Sequence, residues 1–158
     1  MTDAPDAPMT LQQRIESAMR DAMRQRDASR TTTLRMAMAA AHNRRIELGR
    51  DLIDEDVVDV LTKQVKQRRE SIEVYRGAGR AERADAEEAE AAILSEFLPQ
   101  PLTEAEIEDL ARSAIAETGA SSPADLGRVM GKVAPQTRGR ADGRVVSDTV
   151  RRLLAGSG

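Results

Sequence analysis

An all-α fold is predicted for this 158-residue chain by three observations. Ala, Leu, Val and Met supply most of its apolar residues, with one Tyr, one Phe and no Trp. Charged residues make up 32% of the chain, which beside so much Ala favours helices that approach closely across thin interfaces. No stretch alternates cleanly and β-branched or aromatic clusters are absent, so no strand signal survives.

The elements follow from breaks between runs of apolar residues at helical spacing. Residues 1–9 alternate Ala, Pro and Asp, have nothing to bury, and are expected to be a disordered lead-in. Thr10 reads as the N-cap of a first helix carrying Leu11, Ile15, Ala18, Met19, Ala22 and Met23 to about Asp27. A second helix bears Leu34, Met38, Ala41 and Leu48 and ends near Gly49. Asp54 is expected to cap a third, with Glu55 and Asp56 in a first turn that favours anions. Its stripe is Val58, Leu61, Val65, Ile72 and Tyr75, and Arg68 and Arg69 mark a middle turn expected to leave the core. Gly77-Ala-Gly79 ends that helix, and a fourth, about Ala81 to Phe97, turns Ala86, Ala89, Ile93 and Phe97 inward. Pro99 and Pro101 cannot continue a helix, because each lacks an N–H and biases its predecessor toward extended geometry.

The expected organisation is therefore a four-helix N-terminal part (10–98), a Pro-containing linker (99–102) and a three-helix domain (103–158). Thr103 to Glu106 is a capping-box sequence, followed by Ile107, Leu110, Ala111, Ala114 and Ile115 up to Gly119. Ser122-Pro123 opens a short helix with Leu126, Val129, Met130 and Val133 inside, which Pro135 is expected to stop. Asp142 caps the last helix, whose inner face is Val146, Thr149, Val150, Leu153 and Leu154.

Composition excludes several functions. With no cysteine there is no disulfide scaffold, thiolate nucleophile or Cys-based zinc site, and a single His42 builds no His cluster. No apolar run approaches the roughly 20 residues that span a bilayer, and residues 1–9 lack the regions of a signal peptide, so a cytoplasmic protein is expected. Net charge is −3, so attraction to nucleic acid has to come from a local patch.

Such a patch lies between Asp125 and Arg144, a stretch with four glycines and five cations. From Gly119 to Gly158 seven cations face three acids, a local surplus of +4. Lys132, Arg138, Arg140 and Arg144 are the candidate RNA-binding residues, with amide groups beyond Asp142 able to face a phosphate. The plain alternative is that glycine supplies turn geometry, Asp142 caps, and the cations are solvated. No aromatic lies nearby to stack on a base, so binding there follows shape and backbone.

Elsewhere the plain reading is preferred. Lys63 to Glu73 reads as a solvated helix face supported by Lys66–Glu70 and Arg69–Glu73 pairs. The acids Glu82, Asp85, Glu87, Glu88 and Glu90 fall largely opposite the expected stripe. They read as a solvated face, or as a docking face for the first two helices, where nine Arg meet four acids between Thr10 and Arg50. No catalytic residue, cofactor site or metal site is expected.

Several motifs in fixed order resemble those of the YqeY-like proteins: Arg68-Arg-Glu-Ser-Ile72, Tyr75-Arg-Gly-Ala-Gly-Arg80, Glu87-Glu88, Ile93-Leu94 and Phe97-Leu-Pro-Gln-Pro-Leu102. Glu117-Thr-Gly-Ala120, Asp125-Leu-Gly-Arg-Val-Met-Gly131 and Gly139-Arg-Ala-Asp-Gly-Arg-Val-Val146 continue the likeness. It covers about residues 10–155, and the C-terminal half is also similar to the tail domain of the GatB subunit of tRNA-dependent amidotransferase. The resemblance implies an accessory helical module that contacts tRNA, with amidotransferase subunits as further partners. It also carries the family label of a carbon–nitrogen ligase with glutamine as amido-N-donor. The chain lacks the GatB catalytic cradle, and where the family has a Met-Pro-Lys-like run it reads Val133-Ala-Pro-Gln136, one basic position fewer. The expected function is a non-catalytic RNA-binding module. The alternatives are a protein-interaction adaptor without RNA and an amidotransferase-type enzyme.

Overall fold

The structure of the chain is a computed structural model and describes residues 7–156. Among them run seven α-helices and no strand: α1 (Leu11–Arg24), α2 (Ala28–Leu48), α3 (Asp54–Gly77), α4 (Ala81–Ser95), α5 (Glu104–Thr118), α6 (Leu126–Thr137) and α7 (Gly143–Ala155). A 3-10 turn, Pro123–Asp125, leads into α6. Of the expected lead-in, positions 1–6 lie outside the described residues, and Ala7 to Met9 are exposed and non-helical. The chain divides into two compact units between Leu98 and Pro99.

In the first unit, α1 starts where Thr10 Oγ1 accepts the Gln13 N–H while Gln13 Oε1 accepts that of Thr10. α2 ends on Gly49, whose φ of 67° is the left-handed geometry that glycine adopts without penalty. The start of α3 corrects one expectation. Ile53 is the capping position, and Asp56 supplies the cap by accepting the Ile53 N–H and both Arg50 guanidinium nitrogens. Asp54, the expected cap, instead accepts the Leu11 N–H at 2.9 Å and so ties α3 to the head of α1.

The core of this unit gathers Leu11, Ile15, Leu34, Ala37, Val57, Leu61, Val65 and Leu94. α3 and α4 share its longest seam, and that seam corrects two more expectations. Ala84, Ala91 and Leu94 face inward on α4, whereas Ala86 and Ala89 are exposed. Arg68 does not leave the core. It is 7% exposed, with Nε 3.1 Å from Glu90 and Nη1 3.3 Å from the Gln64 carbonyl. The spacing Val57, Leu61, Val65, Arg68 is one continuous helical stripe, so burial of Val65 carries the arginine in with it. A buried guanidinium is tolerated because Glu90 answers it.

In the second unit, Thr103 and Glu106 form the capping box of α5, which ends on left-handed Gly119. Its core is aliphatic: Ile107, Ala111, Ala114, Val129, Val133, Val146, Val150 and Leu154. Pro135 does not stop α6. The helix runs on to Thr137, which is 4% exposed and donates its hydroxyl to the Val133 carbonyl. The ring removes one backbone donor near the helix end. Burial of Val133 and Thr137 on either side holds the last turn helical in spite of it.

Candidate nucleic-acid interface

The turn between α6 and α7 brings together three of the four candidate residues, Arg138, Arg140 and Arg144. Arg138 is the C-cap of α6 and donates its N–H to the Ala134 carbonyl. Gly139 then takes φ 74°, which a side chain would strain. The Thr137 carbonyl accepts the N–H groups of Arg140 and Ala141, closing the turn at 2.9 and 3.0 Å. Asp142 Oδ1 accepts the Arg144 N–H at 2.8 Å and caps α7. A carboxylate thus already stands where the sequence left room for a phosphate. Anion binding at this turn would have to come from the guanidinium groups.

The three arginines are not equivalent. Arg138 and Arg144 are exposed, whereas Arg140 is half-buried and reaches back to the segment that enters α5. Arg140 Nε donates to the Gln100 carbonyl at 3.0 Å, and its own carbonyl accepts the Leu102 N–H at 2.8 Å. Residues expected to act as a linker are therefore fastened to the turn, an arrangement with no trace in the spacing of the sequence. Lys132 stands apart on α6, with Nζ 3.8 Å from Glu117 of α5.

The local surplus of +4 is answered within the unit. Residues 99–118 carry one cation and five acids, a balance of −4, so residues 99–158 are neutral overall. Arg112 sits 2.6 Å from Glu108, and both Arg112 and, at 3.7 Å, Arg152 hold the Glu108 carboxyl below its ordinary range. The N–H groups of Ser121 and Ser122 together with Arg128 do the same to Asp125.

A scan against known families matches residues 12–154 to the YqeY-like proteins. The chain belongs to the YqeY-like family. It is 29% identical over 146 residues to a protein of Pyrenophora tritici-repentis named "Altered inheritance of mitochondria protein 41, mitochondrial", covering 89% of this chain and 79% of that one. The Lachancea thermotolerans protein of the same name is 30% identical over 112 residues, covering 69% of this chain and 60% of its own length. An uncharacterised Schizosaccharomyces pombe protein is 31% identical over 90 residues, covering 57% and 73%.

Acids of α4 are met chiefly from α3, Glu90 by Arg68 and Glu88 by Arg76 at 2.7 Å, while Arg30 of α2 reaches Glu96 just beyond α4 at 2.8 Å. They are thus neither a wholly solvated face nor chiefly a dock for the Arg-rich helices. Exposed His42 lines an open concavity of about 400 Å³ with Arg45, Ile46 and Arg50, but both arginines pair with Asp51 and Asp56. Among the described residues no group of three His, Asp or Glu side chains could hold a metal ion. No described helix is long and apolar enough to cross a membrane.

Proposed function

We propose that this YqeY-like protein is a non-catalytic RNA-binding accessory module of cytoplasmic location, with structured RNA of the tRNA class as its ligand. Its second unit would act as the GatB-tail-like part of a four-plus-three helix arrangement, linked in role to a tRNA-dependent amidotransferase. Lys132, Arg138, Arg140 and Arg144 make the contacts, with Arg138 and Arg144 meeting phosphates outward and Arg140 also holding the entering segment. The observation that carries the reading is a turn with three arginines within seven residues, 138–144. The word mitochondrial in the relatives' names describes those fungal proteins. The adaptor alternative draws on Ile46 and Val74, apolar side chains left 66% and 69% exposed in the first unit.

Fluorescence anisotropy of labelled bulk tRNA at about 50 and 200 mM salt tests this. Three or four phosphate contacts predict a loss of affinity on the order of 20- to 150-fold between those conditions. The double variant Arg138→Glu with Arg144→Glu should abolish binding at the higher salt. Unchanged affinity and salt slope in that variant would refute the site. A pull-down that survives nuclease treatment, with no tRNA binding, would favour the adaptor.

A further inference from the structure

The first unit carries the one tyrosine of the chain, Tyr75. Tyr75 lies in the last turns of α3, half-buried, with the Arg83 guanidinium 5.9 Å from its ring centroid, within the range of a cation–π contact. Gly79, at φ 72°, folds the chain back so that the Arg80 N–H bonds to the Tyr75 carbonyl at 2.8 Å. That bond places the backbone of exposed Arg80 at the end of the helix that carries Tyr75. Arg76, by contrast, is committed to Glu88 and Asp85. Beside the ring is a shallow, open concavity of about 410 Å³ lined by Gln67, Glu70, Ser71 and Val74.

We propose that this end of the α3–α4 hairpin binds an unpaired nucleotide of RNA, its base stacked on Tyr75 and its phosphate facing Arg80. An aromatic ring backed by a guanidinium offers what a splayed-out base uses, a flat apolar face with positive charge beside it. Gln67 and Ser71 offer amide and hydroxyl groups to the base edge, and the Glu70 carboxylate accepts from exocyclic amino groups. A paired base cannot splay out onto the ring, so the site selects single strands and loops. This goes beyond the contacts proposed for the α6–α7 turn and does not depend on them.

The chain holds one Tyr and no Trp, so intrinsic emission excited near the tyrosine band reports Tyr75 alone. The experiment titrates the full chain at low salt with a single-stranded oligoribonucleotide of about eight nucleotides. A blunt duplex of the same length is titrated in parallel, and both are corrected against free tyrosine amide. The single strand should quench Tyr75 saturably and the duplex should not. Tyr75→Leu should weaken single-strand affinity by roughly five- to tenfold, while Tyr75→Phe retains it. A single strand that binds without quenching, or does not bind, overturns the proposal, as does a folded Tyr75→Leu chain that binds like the wild type. Should Tyr75→Leu fail to fold, the wild-type titration still decides. In the Arg138→Glu, Arg144→Glu variant, quenching by the single strand persists even where tRNA affinity is lost, so the two proposals fail separately.

Discussion

In the first unit three ion pairs join residues far apart in the chain at short range: Arg30 to Glu96 at 2.8 Å, Arg68 to Glu90 at 3.1 Å and Arg76 to Glu88 at 2.7 Å. In the second, the pairs that bridge helices are looser and exposed, Arg152 to Glu108 at 3.7 Å and Lys132 to Glu117 at 3.8 Å. Their cores differ in the same sense. Among the described residues the first buries Thr33, Asp56 and Arg68 beside its aliphatic side chains, while the second buries Thr137 as its one polar side chain. Charge in the first unit is therefore part of the architecture. In the second, aliphatic packing holds the helices, and close ion pairs such as Arg112–Glu108 and Arg128–Asp125 join residues three or four apart.

The largest effects should come from the two cores themselves. Leu94 is wholly buried, and Leu94→Ala should cost about 3–4 kcal/mol through lost transfer energy and a residual cavity. Val150→Ala removes two methyl groups from the smaller core and should cost about 2 kcal/mol. The two clusters share no residue, so the effects should separate by probe in urea unfolding. Tyr75 emission follows the first unit, and far-ultraviolet circular dichroism follows both. Equal movement of the Tyr75 transition by both variants would break the distinction.

A smaller effect sharpens the contrast at the α3–α4 seam. Glu90→Ala leaves the Arg68 guanidinium buried with the Gln64 carbonyl at 3.3 Å, and should cost about 2–3 kcal/mol. Arg68→Met keeps an apolar stem in the seam and leaves Glu90, whose side chain is 31% exposed, to water. Its cost should be about 1 kcal/mol or less. If Arg68→Met proves the more damaging of the two in the same assay, charge at this seam is not what the partner exists to neutralise.

These positions also mark where the sequence was legible. The seven helices were legible from caps, breaks and apolar runs, most clearly at Thr10, Thr103, Gly49 and Gly119, because capping chemistry is local. The inward face of α4 was not legible. In AERADAEEAEAAILS nearly every face carries alanine, and only packing against other helices, α3 and α2, selects Ala84 and Ala91 over Ala86 and Ala89. Arg68 was hidden because its partner Glu90 lies 22 positions away, although its place in the Val57, Leu61, Val65 series was a usable signal. At the α6–α7 turn the residue types could be read directly. That Arg140 is turned to Gln100 depends on a contact across 40 positions.

The smallest expected effect separates holding from binding at that turn. Arg140→Ala removes the Nε donor to Gln100 and should lower the stability of the second unit by about 1 kcal/mol, the worth of one partly exposed hydrogen bond. Arg144→Ala should stay within about 0.5 kcal/mol of the wild type, since only its backbone N–H serves the cap, and alanine keeps that group. Arg140→Lys decides between charge and geometry. An ammonium restores the positive charge but cannot repeat the guanidinium fork, so this variant should melt like Arg140→Ala and bind tRNA like the wild type. Stability restored by lysine would mean that charge near Gln100, not the directed Nε donor, fastens the segment. Unchanged stability in Arg140→Ala would mean that the Leu102 to Arg140 backbone bond holds it alone, leaving the whole guanidinium to a ligand.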